Sequence, residues 1–138
     1  MAYCIQSDIE NLFGVENVAR WSNLDNQGAT ADAGRVAAGI AYAAALIDDR
    51  FRNSRYSVPL VALSGELAAI TDLAARLAGC WLYESRGMAD GAADRADAGG
   101  IAGHRRYVER SLGRYVAGQD QLAAVPARMV TTVPQVQG

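Results

Sequence analysis

Three long segments of this chain carry apolar residues every three or four positions, a spacing that builds one apolar stripe along an α-helix. They run from about Asp32 to Asn53, from Gly65 to Arg86 and from about Gly100 to Ala117. Their stripes are Val36, Ile40, Ala43 or Ala44, Ile47 and Phe51, then Leu67, Ile70, Ala74, Leu77 and Trp81, then Ile101, His104, Val108, Leu112 and Tyr115. Because a striped helix must bury its stripe against another element, the sequence predicts an all-α fold, a small bundle of about four helices.

A short helix is expected ahead of these segments. Ser7 is a suitable N-cap, and Glu10 follows three residues later, which is the spacing of a capping box. Gly14 is suited to end this helix, and a second short turn is expected over Val15–Trp21. The polar stretch from Ser22 to Thr30 is interpreted as a loop.

The connections between the striped segments contain residues that oppose helix formation. Asn53–Ser64 must be a connection, since Pro59 blocks a helix there. Ser64 is expected to cap the next helix, and Gly87 to end it. Met88–Gly103 is rich in Ala, Gly and Asp and is either a loop or a weak helix, because each glycine costs a helix up to about 1 kcal/mol.

The chain changes character after the third striped segment. Two prolines exclude a long helix, and a strand-like stretch contains Met129, Val130 and Val133. That stretch has no sheet partner elsewhere in the sequence, so it is either a loose tail or an arm that pairs with another molecule. The expected organisation is a helical domain over residues 1–118 and an extended C-terminal arm over residues 119–138.

Size and charge limit the function. A length of 138 residues fits one domain. The formal net charge of -2 argues against broad nucleic-acid binding, which usually involves a basic domain, but it allows a local basic face. All 13 cationic residues are arginines. Arginine suits ion pairs and interfaces because its planar guanidinium binds a carboxylate at two points, but a GC-rich genome also replaces lysine by arginine and enriches alanine and glycine.

Nothing in the sequence predicts export, a disulfide or a membrane span. Cys4 and Cys80 are far apart and lack a Cys-x-x-Cys pattern, which predicts reduced thiols inside the cell. Residues 1–10 contain no basic region followed by an apolar run, so no signal peptide is expected. The longest uncharged apolar stretch, Val36 to Ile47, is about a dozen residues long, whereas a membrane span needs about twenty.

The sequence contains no recognisable catalytic constellation. His104 is the single histidine, and its position on an apolar stripe predicts a core-edge residue with a satisfied nitrogen. Asp48 and Asp49 point about 100° apart on a helix, so we expect Asp48 to pair with Arg52 instead of forming a carboxylate pair. The run Asp25–Gly28 lacks the spaced acids of a calcium loop and is interpreted as a polar turn. We therefore expect no enzyme activity, no metal and no cofactor.

The arginines of the last helix are the most distinctive polar feature. Arg106, Arg110 and Arg114 recur every four positions on one side, with Arg105 beside them. Such like-charge neighbours cost a few tenths of a kcal/mol each when unpaired, and Glu109 is expected to pair only with Arg105. The face is either simply solvated or an interface, for acidic residues of a neighbouring subunit or for DNA phosphates.

Several short motifs occur in a characteristic order. They are Ser7-Asp8-Ile9-Glu10-Asn11-Leu12-Phe13-Gly14, Ile47-Asp48-Asp49-Arg50-Phe51, Arg55-Tyr56-Ser57-Val58-Pro59-Leu60, Leu73-Ala74-Ala75-Arg76-Leu77 and Arg106-Tyr107-Val108-Glu109-Arg110-Ser111-Leu112. This ordered set resembles the phage Mu-like small head-tail joining proteins, and the resemblance covers roughly Tyr3 to Leu122. Phe51 departs from the family, where an aromatic-leucine pair is usual.

The resemblance implies a helical connector protein, made in the cytoplasm of the bacterial host and located at the virion neck. Copies would form a ring, typically twelve-fold, that binds the portal protein, carries packaged DNA through its lumen and docks head-closure or tail-terminator proteins. The candidate contact residues are Arg50, Arg52, Arg55, Arg105, Arg106, Arg110, Arg114, Met129, Val130 and Val133. Whether Arg50, Arg52 and Arg55 face a neighbour, the lumen or water is left open by the sequence.

The alternative interpretation is a small nucleic-acid-binding or regulatory phage protein that uses the face of Arg106, Arg110 and Arg114. The sequence pI of about 5.3 counts against it, as does the lack of helix-turn-helix spacing. Binding to duplex DNA through these arginines would weaken steeply as salt rises.

Overall fold

The computed structural model describes residues 2–24, 30–86 and 92–126, with the backbone alone over 92–99. This part of the chain contains five helices, which are α1 (Gln6–Phe13), α2 (Val15–Ser22), α3 (Ala33–Phe51), α4 (Ala68–Ser85) and α5 (Ala92–Ala117). The predicted all-α fold is confirmed, and the three striped segments form α3, α4 and α5. Helix α5 begins at Ala92 and not near Gly100, so the described part of the Ala/Gly-rich stretch is helical.

The break between α1 and α2 lies where the sequence predicts it. Gly14 has a φ of +96°, which a residue without a Cβ adopts easily. The capping box, however, lies two residues earlier than expected. The Asp8 carboxylate accepts a hydrogen bond from the backbone N–H of Ile5 at 2.9 Å. Ser7 therefore lies inside α1 and does not cap it.

The starts of α3 and α4 differ in how well local sequence predicts them. Asp32 caps α3, since its carboxylate accepts a hydrogen bond from the backbone N–H of Gly34 at 2.9 Å. The prediction that Ser64 caps α4 is wrong. Gly65 has a φ of +68°, a left-handed conformation that interrupts the helix, so α4 begins at Ala68.

Helix α4 is the centre of the bundle, because it contacts each of the other four helices of the described chain. Gly79 on α4 allows the ring of Phe13 to lie directly against the helix backbone, where a Cβ atom would overlap the ring. The same ring is 5.4 Å from the ring of Trp21 and 4.8 Å from that of His104. The Phe13 ring therefore brings residues of α1, α2, α4 and α5 into contact at one point.

Residues 122–126 pair with the connection between α3 and α4. Antiparallel bridges join Tyr56 to Pro126 and Ala62 to Ala124, and the Tyr56 hydroxyl accepts the backbone N–H of Leu122 at 2.9 Å. Leu122 and Ala124 are buried. The part of the predicted arm that the structure describes therefore begins by packing on its own chain.

Three predictions fall on residues outside the described ones. They concern the polar turn at Asp25–Gly28, the helix stop at Gly87 and the strand-like positions Met129, Val130 and Val133.

Candidate partner interface

The arginines of α5 point in two directions. Val108 and Leu112 are fully buried against the bundle. Arg106 and Arg110 lie on the opposite side of the helix and are exposed. Arg105 lies on the flank and is half-buried, so it does not share the environment of Arg106 and Arg110.

Arg105 is held by groups of α3 and α4. Its guanidinium donates to the Glu84 carboxylate at 2.6 Å and to the Tyr42 hydroxyl at 2.9 Å, and the bond to Glu84 raises the pKa of Arg105. The expected pairing of Arg105 with Glu109 is wrong. Glu109 instead accepts two hydrogen bonds from Arg50 on α3, one of them at 2.8 Å, and this contact lowers the pKa of Glu109.

Arg114 lies in the last turn of α5, and Arg55, from the connection between α3 and α4, contacts the chain just after that helix. Arg114 donates to both carboxylate oxygens of Asp120, at 2.8 and 3.2 Å. The pair is exposed, but it partly neutralises this end of the predicted arginine stripe. The Arg55 guanidinium lies against the backbone at Gly118, where φ is +85° and a Cβ atom would overlap it.

Arg52 pairs with a different carboxylate from the predicted one. Its Nε lies 3.7 Å from Asp49, three residues earlier on α3. Asp48 accepts a hydrogen bond from the Tyr3 hydroxyl, which in turn accepts the backbone N–H of Leu60 at 2.8 Å. Asp48 therefore anchors the N-terminal segment through Tyr3. Helical spacing alone could not predict this contact, because Tyr3 lies outside α3.

Four residues on the solvent side of α5 form a distinct surface, which we call the α5 outer face: Gly103, Arg106, Arg110 and Gly113. Neither arginine has a hydrogen-bond or ion-pair partner among the described residues. A Cβ atom at either glycine would meet nothing within 4 Å. A glycine in a helix costs about 0.5–1 kcal/mol relative to alanine. Nothing in the described chain uses the close approach that these two glycines permit.

Three further titratable groups, His104, Cys4 and Cys80, lie in the core or at its edge. His104 lies at the core edge as predicted, with Nδ1 2.7 Å from Arg76; burial, followed by the nearby Arg76 charge, lowers its pKa. Cys4 and Cys80 are free and buried, and burial raises the pKa of each thiol to about 12. No group of three His, Cys, Asp or Glu side chains in the described residues could hold a metal ion.

A second surface was not predicted from the sequence. An open groove of about 680 Å³ lies between α3 and the segment that precedes α1, and we call it the α3 groove. Apart from Gln6 and Asp48, its lining is apolar and consists mostly of alanine. The sequence feature that could have indicated the groove is the row Ala37, Ala41 and Ala45. It lies outside the predicted stripe, at positions where a solvated helix face usually carries polar residues.

The described helices and surfaces define a class of protein: a small helical bundle whose distinctive features are an arginine-bearing helix face and an apolar groove. No helix in the described ranges is long and apolar enough to cross a membrane. The chain belongs to the family of bacteriophage Mu Gp36, whose family model matches residues 3–129. It is therefore a phage protein of the Mu-like type, as the ordered motifs predicted. No curated protein matches it in sequence.

Proposed function

We propose that this protein is a structural head-tail connector, not an enzyme, and that it acts at the virion neck without a cofactor. Copies would assemble into a ring, typically of twelve, beneath the portal protein. The ring would extend the DNA channel and dock a head-closure or tail-terminator protein. Membership of the Mu Gp36 family supports a phage role, and the resemblance of the ordered motifs to head-tail joining proteins supports the connector role.

The α5 outer face is the observation that carries the proposal. Arg106 and Arg110 are exposed and make no ion pair within the described chain, and two glycines beside them weaken the helix without helping it pack. An interface gives both features a use, because a partner backbone can approach the glycines while its carboxylates pair with the arginines. Such a contact between two different surfaces of identical copies closes into a ring when the rotation allows it.

Electron microscopy of a lysate from a phage that lacks this gene tests the proposal. We expect separate tails beside heads that are full or have lost their DNA, and we expect joined particles when the gene is supplied from a plasmid. Intact infectious virions in the deletion lysate would overturn the connector role.

The second candidate is a nucleic-acid-binding phage protein, favoured by the two arginines of the α5 outer face, which have no partner among the described residues. The affinity of the protein for duplex DNA, measured at increasing salt concentrations, tests this candidate. Contacts to phosphates by Arg106 and Arg110 would make the affinity fall steeply as salt rises. An affinity independent of salt, or no binding at all, would remove this candidate.

A further inference from the structure

We propose that the α3 groove binds the segment Met129–Val133 of a second copy of this chain. The inference rests on the connector function proposed above, because it identifies one contact through which copies would join. It concerns a surface other than the α5 outer face.

The α3 groove is open, apolar and large enough for several side chains. Its volume of about 680 Å³ lies within the range of roughly 300–1,000 Å³ that encloses compact ligands. Ala37, Ala41 and Ala45 are exposed along its floor, and Ile5 at its edge is 63% exposed. Each alanine contributes only a methyl group, which leaves depth for the larger apolar side chains of a partner.

One end of the groove also offers unpaired backbone groups. Ala2 lines the groove and is exposed, and within the described chain its backbone groups have no hydrogen-bond partner. Ile5, just before α1, has an extended backbone with φ -126° and ψ 173°. Exposed backbone N–H and C=O groups beside an apolar groove can hydrogen-bond an added extended segment, in which backbone bonds give affinity and pockets take alternate side chains.

The C-terminal segment has the chemistry of such a strand. Met129 to Val133 combines three apolar residues with two threonines, and both Val and Thr favour extended structure. Arg128, just before it, is the single charged residue after Pro126, and Asp48 is the single charged residue that lines the groove. The charges of the segment and of the groove are therefore complementary.

The segment is long enough to cover most of the groove, and it begins near the end of the described chain. Two residues, Ala127 and Arg128, separate Pro126 from Met129, a reach of up to about 10 Å, and the five residues Met129–Val133 span up to about 17 Å when extended. The groove follows α3 from Ala33 to Asp48, a distance of roughly 22 Å at the rise of an α-helix. Because each copy has one segment and one groove, exchange between neighbours uses two different surfaces and can close a ring.

Disulfide trapping between two singly substituted copies tests the proposal. A tagged full-length chain with Val130→Cys is mixed with an untagged chain carrying Ala41→Cys, both with Cys4→Ala because Cys4 lines the groove. The mixture is mildly oxidised, and tagged–untagged dimers are measured by mass spectrometry. The matched control is Ala38→Cys, an exposed alanine on α3 outside the groove. We expect several-fold more dimer with Ala41→Cys than with Ala38→Cys. Circular dichroism confirms that all three variants fold.

Two results would overturn the exchange. One is equal dimer yields from the groove variant and the control. The other is a disulfide that forms only within a chain carrying both Val130→Cys and Ala41→Cys, which would mean that the segment occupies its own groove. Neither result bears on the connector role, because separated heads and tails in the deletion lysate would still support that role, and intact virions would overturn it whatever the trapping shows.

Discussion

Gly79 and Gly113 are both helical glycines, but their surroundings are opposite. At Gly79 a Cβ atom would overlap the ring of Phe13, whereas at Gly113 it would meet nothing. We expect Gly79→Ala to lower the free energy of unfolding by about 1–3 kcal/mol, because Phe13 must leave a close-packed site. Gly113→Ala should raise it by about 0.5–1 kcal/mol, since alanine favours the helix.

Urea unfolding of the two variants beside the natural protein measures both effects. Each protein serves as the control for the other, because the same atoms are added in both. A Gly79→Ala protein as stable as the natural one would contradict the packing of Phe13 against α4.

His104 should make the stability depend on pH below neutrality. The Arg76 guanidinium can only donate, so Nδ1 of His104 accepts and the imidazole is neutral in the folded state. The folded pKa lies below the ordinary value of 6.5. As the pH falls below 6.5, the unfolded state binds a proton first, so stability is lost until the folded pKa is reached. Above 6.5 this contribution does not change.

The measurement is the urea midpoint of the natural protein and of His104→Asn at pH 7.5 and at pH 5. The Asn side-chain oxygen can still accept from Arg76, but it does not titrate. Every carboxylate of the chain is kept in both proteins, so the difference between their losses reports on His104. We expect the natural protein to lose more stability than the variant; equal losses would contradict the assignment.

At the scale of the helices, Arg105 ties α5 to α3 and α4, whereas its neighbour Arg106 touches neither. We expect Arg105→Ala to cost about 1–2 kcal/mol, because it removes hydrogen bonds to Glu84 and Tyr42. Arg106→Ala should change stability by less than about 0.5 kcal/mol, as is usual for an exposed side chain without a partner. Chemical denaturation of the two variants measures both free energies of unfolding. Equal losses would show that Arg105 and Arg106 lie in similar environments.

The ends of the helices show which local features a sequence can predict. The break at Gly14 depends on one residue, so it was predictable. The start of α4 was not, because Ser64 suits a cap but the left-handed backbone at Gly65 delays the helix to Ala68. The pairing of residues 122–126 depends on a loop more than fifty residues earlier, and no local pattern contains that information.

At the scale of the whole molecule, the sequence predicted which groups are exposed better than it predicted their partners. The exposure of Arg106 and Arg110 follows from their angle to the apolar stripe. The partners of Arg105 and Arg50 come from other helices, Glu84 on α4 and Glu109 on α5, so helical spacing could not give them. The α3 groove depends on where the N-terminal segment lies, which no motif indicated.

A charge reversal on the α5 outer face should stop assembly without unfolding the protein. Arg110→Glu removes a cation that has no partner in the described chain, so we expect an unchanged thermal midpoint. If Arg110 pairs with a carboxylate of a neighbour, the lost pair is worth about 1.5–3 kcal/mol, which weakens each contact at least about tenfold. Because a ring repeats this contact at every subunit, plasmid-supplied Arg110→Glu should fail to restore plaques to the deletion phage.

The matched control for this experiment is Arg20→Glu, an exposed arginine on α2 whose partner is the neighbouring Asn17 on the same helix. It makes the same change of charge away from the α5 outer face, and we expect it to restore plaques. Full rescue by both variants would remove the α5 outer face from the assembly contact. Failure of both would mean that the charge of the whole molecule, and not one surface, is what assembly requires.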